Sequence, residues 1–162
     1  MTSHDSNPLF TKVPEPDSTR VLTAWAWLLR TTYRLIGRSM FGDLFLEDMS
    51  GHVHMVDTVA GELKEIATCI EEFEWELTDG EGKEQWLMAS LARQAIDSGL
   101  SPGPGHCLAF RTPPMLGGRL TVDNLVVEEL FAYYDWLSKL LPQVLALPLG
   151  TEVRVKPSQD DG

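Results

Sequence analysis

Only two cysteines, Cys69 and Cys107, occur in 162 residues, far apart and in no Cys-x-x-Cys pattern. A disulfide framework is therefore excluded, and reduced, buried thiols are the expectation. Histidine is as scarce, at four, and three or four convergent ligands for a catalytic metal cannot be assembled from so few. No run of roughly eighteen apolar residues exists, and the first ten residues, MTSHDSNPLF, carry neither a basic nor an apolar leader segment. A membrane span is not expected, and the cytoplasm is the predicted compartment. Positive charge is short as well: 13 Lys and Arg against 24 Asp and Glu give a net charge of -11. Binding to a phosphate backbone rests on neutralising phosphates, so direct contact with nucleic acid is not expected.

What the chain has is ordinary globular material, with 43% hydrophobic and 23% charged residues. That is enough for one domain with a core of its own. Residues 1–16, with Pro8, Pro14 and Pro16, read as a flexible arm, residues 17–156 as a single α+β domain, and residues 157–162 as a flexible tail. The negative charge is concentrated: residues 41–84 hold thirteen acids and only two bases, Lys64 and Lys83, while the remainder balances at eleven of each sign. Such a segment is either a solvated face or a docking surface for a basic partner.

The periodicities predict an order of elements. Val21, Leu22, Trp25, Leu28 and Leu29 mark a helix over 18–30. Four strands at 33–40, 43–47, 52–57 and 62–67, separated by Gly-bearing turns, predict an antiparallel meander. Short acidic helix 70–77 and helix 83–98 follow, the latter closed by Gly99-Leu100, a glycine cap with its hydrophobic contact. After SPGPG at 101–105, strands are predicted at 106–112 and 124–129, then a helix over 130–145 that should kink or restart at Pro142, and a last strand at 151–155. The predicted architecture is an antiparallel sheet of five or six strands with the helices mainly on one face.

Candidate chemistry is thin. His52 and His54 share a strand face and could supply half of a zinc site, but no further ligand stands near. His106 and Cys107 are adjacent, so on a strand they point to opposite faces and cannot form a thiolate pair. No serine lies in a Gly-x-Ser-x-Gly context, and SPGPG is no phosphate cradle, since prolines lack the N–H groups such a loop needs. Neither catalysis nor a cofactor is expected.

The blocks FGDLFLEDMSGHVHMVDTVAGELKEIA (41–67), GLSPGPGHCLAFRTPPMLGGRLTVDNLVVEEL (99–130) and LPLGTEV (147–153) together resemble the C-terminal domain of immunity proteins that protect bacteria from a DNase effector of the type VI secretion system. Many members are known only as a domain of unknown function. The likeness spans roughly residues 25–155. Gly42, Asp43, Gly51, Asp57 and Gly61 match its meander, and Pro113, Pro114, Leu116, Gly117, Gly118, Asn124, Pro148, Gly150 and Thr151 match its second half. These are turn-forming residue types, expected to build the fold. Family members commonly carry a further N-terminal domain related to a module associated with glutamate-tRNA synthetase, whereas forty residues precede the FGD motif here.

The resemblance implies a protein that binds and neutralises a cognate toxin, a basic nuclease, without catalysis. The alternative is a non-catalytic scaffold or adaptor of a secretion apparatus, and a third reading is an enzyme or small-ligand binder with a cleft beside Leu116-Gly117-Gly118. For the first reading the expected contact residues are Glu62, Glu65, Glu71, Glu72 and Glu74, with Phe73 and Trp75 as candidate aromatic anchors. The sequence leaves oligomeric state and the partner's identity open.

Overall fold

The computed structural model describes residues 9–13 and 15–147, the side chains of 15 and 16 excepted. A five-stranded antiparallel sheet forms the centre, in the order β1 (Phe10–Thr11), β2 (Tyr33–Ser39), β3 (Leu44–Asp48), β4 (Val53–Asp57), β5 (Glu62–Ala67). Sequence order equals spatial order because each connection within β2 to β5 is a tight turn, which lets neighbours pair only antiparallel. Helix α1 (Glu15–Ala24) precedes β2. Helices α2 (Ile70–Thr78), α3 (Gly82–Leu87) and α4 (Ala89–Asp97) follow the sheet, and β6 (His106–Phe110), β7 (Leu125–Glu129) and α5 (Leu130–Leu145) complete the described chain.

The α+β class and the antiparallel meander are as read from the sequence. The helices, however, divide between both faces. Phe45, Val53 and Met55 face α2, α3 and α4 in one hydrophobic cluster, while Leu44, Leu46 and Val56 face Val21, Trp25 and the α5 residues Tyr134, Leu137 and Leu141 in another. The reason lies in the central strand: Leu44, Phe45 and Leu46 are all fully buried, so both sides of β3 need a cover. One layer of helices could not have supplied it.

Three further expectations are corrected. The predicted helix over 83–98 is broken at Met88, which sits in the left-handed region at φ 48° and separates α3 from α4. No proline or glycine marks that break in the sequence. Helix α5 continues through Pro142 to Leu145 as one helix, so of the kink or restart expected there the restart does not occur. Strands β6 and β7 pair with each other in a separate two-stranded sheet instead of extending the first; Leu108 N–H donates to Met40 O at 2.8 Å and so ties the two sheets at the end of β2. Finally, Phe10–Thr11, assigned to the arm, form β1, because Leu9 and Phe10 find apolar partners: Leu9 is fully buried and Phe10 lies 5.8 Å from the Phe45 ring. The strand predicted at 151–155 lies outside the described residues.

Gly99 closes α4 as expected. Leu100 N–H donates to Ala95 O at 2.9 Å and Gly99 N–H to Ile96 O at 3.0 Å, with Gly99 at φ 100°, the paired bonds of a glycine-capped C-terminus.

Candidate docking surface

The acidic segment becomes two adjoining surfaces, the sheet edge β5 and the helix α2 that follows it. Helix α2 reads Ile-Glu-Glu-Phe-Glu-Trp-Glu-Leu-Thr, with Ile70, Phe73 and Leu77 at i, i+3, i+7, so one stripe faces the core and the rest faces water. Its first turn carries Glu71 and Glu72, where the exposed N–H groups of a helix favour negative charge. Glu72 does more than sit there. Its Oε1 accepts from Thr68 N–H at 2.7 Å and from Thr68 Oγ1 at 2.9 Å, fixing the chain's entry into the helix. The Thr68 backbone N–H is the main cause holding the Glu72 carboxyl below its ordinary range.

The remaining acids differ in their engagement. Glu65 meets His52 Nδ1 at 3.2 Å, whereas Glu62, Glu71 and Glu74 are exposed and make no ion pair among the described residues. The two aromatic candidates part company. Phe73 is 1% exposed, stacked on Trp86 at 5.7 Å and tilted against Phe45 at 5.3 Å, so it is a core residue and cannot anchor a partner. Trp75, two positions on, is 54% exposed. Helical geometry produces this split: a two-residue step turns the side chain about 200° around the axis.

The turn residues named by the resemblance are built into the framework. Asp43, 1% exposed, clasps two turns together: its Oδ1 accepts from Thr58 N–H at 2.8 Å and Thr58 Oγ1 at 2.6 Å, and its Oδ2 from Ser39 Oγ at 3.0 Å. Burial outweighs these bonds and pushes its carboxyl up to about 6. Tyr134 Oη, from α5, donates to Gly42 O at 2.6 Å in the same turn. Asp57 Oδ1 accepts from Val59 N–H at 3.0 Å and Ala60 N–H at 3.2 Å, forming the turn that ends at Gly61, as Gly51 ends the turn at Asp48.

Pro114 and Leu116 bound a short 3-10 turn that ends at Gly117, φ 96°, a conformation that disfavours side chains. At Gly118 a methyl group would overlap the carbonyl oxygen of Thr112. Asn124 spans the same loop, its Oδ1 accepting from Thr112 N–H at 3.0 Å and its Nδ2 donating to Thr112 O and Arg119 O, both at 2.9 Å. Gly150 lies outside the described residues.

The histidines are placed apart from one another by their own partners. His54 Nε2 lies 2.8 Å from Asp48 Oδ2 while His52 reaches Glu65. Among the described residues no group of three or more His, Cys, Asp or Glu could hold a metal ion. Cys107 is fully buried and burial raises its thiol to about 12, which describes an inert core cysteine. No helix of the described residues is long and apolar enough to cross a membrane. Sequence reasoning did not single out Arg38, 7% exposed, whose guanidinium donates to Ser39 O at 3.3 Å and His106 O at 3.1 Å across the two sheets; an arginine in a strand carries no sequence sign of being buried.

The fold and surface thus define a class, an α+β domain with a meander held between two helix layers and an acidic helix on its outside. Residues 67–141 match the family described as T6SS immunity protein Tdi1, C-terminal, which bears out the resemblance drawn from the sequence and locates it on α2 through most of α5. The chain also resembles the crystal structure of Atu4351 from Agrobacterium tumefaciens, with a TM-score of 0.54 and 15% identity over 82% of this chain and 67% of that one. At that identity the likeness establishes shared fold. No curated protein matches.

Proposed function

We propose that this protein is an immunity-like protein that binds a cognate toxin, a nuclease, and neutralises it by protein–protein contact without catalysis. The observation that carries the reading is the match of residues 67–141 to the immunity family. The outward face of α2 lies within that match and supports it. A nuclease must present cationic surface to its phosphate substrate, and an inhibitor with the opposite field steers onto that surface and excludes the nucleic acid. Glu71 and Glu74 on α2 with Glu62 and Glu65 on β5 supply the field, and Trp75 beside them supplies an amphipathic anchor of the kind that dominates interface energies. Glu72 contributes charge but is tied to Thr68.

The test is to capture the protein's partner from its own host by affinity purification and to measure that partner's DNA cleavage with and without one equivalent of the protein; a captured partner without nuclease activity would refute the reading. Glu71→Lys with Glu74→Lys should slow association and flatten its salt dependence, and Trp75→Ala should speed dissociation. Glu72 is left intact so that the helix start is not disturbed. Undiminished cleavage at equimolar protein would refute the reading.

A further inference from the structure

Strand β2 is seven residues long, yet β1 pairs only with Ser39 and Arg38, its Phe10 and Thr11 also lying against Gly37. Among the described residues no strand pairs with the outer edge of Tyr33–Ile36. This stretch spans about 13 Å and presents backbone donors and acceptors in a row, the template on which an extended chain adds to a sheet. Beside it runs a groove of about 300 Å³ between β2 and α2, floored by Ile36, Phe73 and Leu77 and rimmed by Lys12, Arg34 and Glu74. That volume is at the small end for a metabolite pocket but receives one or two aliphatic side chains.

We propose that this edge and groove receive an extended segment of the partner protein, carrying an aliphatic side chain for the groove next to a basic side chain for Glu74; the identity of that partner as the toxin rests on the function proposed above. The charges on the rim choose the occupant. Arg34 is already held on Glu47, its Nε donating at 2.8 Å, and Lys12 is not free either. Glu74, which makes no ion pair among the described residues, and Glu71 one turn before it leave the helix wall negative. A second copy of this chain is a poor occupant. Two molecules of net charge -11 repel, each would bring its own Arg34 to the junction, and the register shift between Leu35 and Gly37 disfavours pairing of like edges.

The probe is a ten-residue peptide of alternating valine and lysine, with a valine–aspartate peptide as control, titrated into isotope-labelled full-length protein and followed by backbone amide shifts. Expected are shifts centred on Tyr33–Ile36 and α2 with the lysine peptide alone. Glu74→Lys should weaken them about five- to tenfold, and Thr78→Trp, which narrows the groove from an exposed position, should do likewise. Equal response to both peptides, shifts elsewhere, or no shifts would overturn the proposal. So would slow hydrogen exchange, in the unbound protein, at those amides of Tyr33–Ile36 that point away from β3, since the outer edge would then already be covered by the chain itself. With the nuclease as ligand, inhibition that survives both substitutions refutes this docking mode and leaves the proposed function standing. Peptide binding without any nuclease binding does the reverse.

Discussion

Replacing Asp43 tests the buried clasp between the two turns. The carboxyl has an ordinary value of 3.8 and is pushed up to about 6, chiefly by burial, with Asp57 adding repulsion and the Thr58 and Ser39 bonds opposing. A raised carboxyl binds its proton more tightly in the folded state than in the unfolded state. Its contribution is therefore fully present below pH 3.8 and lost as pH rises through about 6, the opposite of the usual paired carboxylate. The difference of about two pH units corresponds to about 3 kcal/mol, most of it already expressed at pH 4. The assay is urea unfolding of the wild type and Asp43→Asn at pH 7.5 and pH 4. Asp48 and Glu72, whose carboxyls are held low by hydrogen bonds, lose stability on acidification. Both residues are present in both proteins, so their effect cancels in the comparison. The stability of the wild type relative to Asp43→Asn should increase by about 2–3 kcal/mol between pH 7.5 and pH 4. A pH-independent difference would refute the argument that burial dominates at this site. Asp43→Ala serves as the structural control: it strands Ser39 Oγ, Thr58 N–H and Thr58 Oγ1, each a buried donor worth about 1–3 kcal/mol when left unmade, and should cost at least 3 kcal/mol at neutral pH.

Phe73→Ala should destabilise by about 3–5 kcal/mol while Trp75→Ala stays within about 0.5 kcal/mol, both read from denaturant midpoints; equal effects would contradict the split between core and surface on α2. Tyr134→Phe removes the bond to the buried Gly42 carbonyl and should cost about 1–3 kcal/mol by thermal or urea unfolding. Gly118→Ala must displace the Thr112 carbonyl and should cost about 1–3 kcal/mol, with the Thr112 and Asn124 amide signals shifting most. In Glu72→Ala, amide exchange at Thr68 should speed up because its N–H loses its partner; unchanged exchange would show that the contact does not order the helix start.

The sequence by itself determined what is local. Turn residues at Gly42, Gly51 and Gly61 between short apolar runs allow only hairpin connections, so the meander from β2 to β5 and its order were readable directly. The Gly99-Leu100 helix end, and a structural part for Gly118 in a turn, followed from the same chemistry. The acidic surface was readable as composition, and the family likeness as spaced blocks. Tertiary structure decided what depends on residues distant in the chain. Three consecutive apolar residues in β3 give no side-to-side preference, and only packing showed that both faces carry helices. The break at Met88 has no breaker residue and is imposed by fitting Trp86, Leu87 and Leu91 into one core. Whether Phe73 or Trp75 faces outward depended on which side of α2 met the sheet, and the groove at β2 exists because residues 10–13, 34–36 and 70–78 converge. Asp43 is the sharpest case: as a turn residue it was expected from its neighbours, but its raised carboxyl comes from burial in the folded chain, against the opposing bonds from Thr58, fifteen residues away, with Tyr134 of α5 bonded to the same turn.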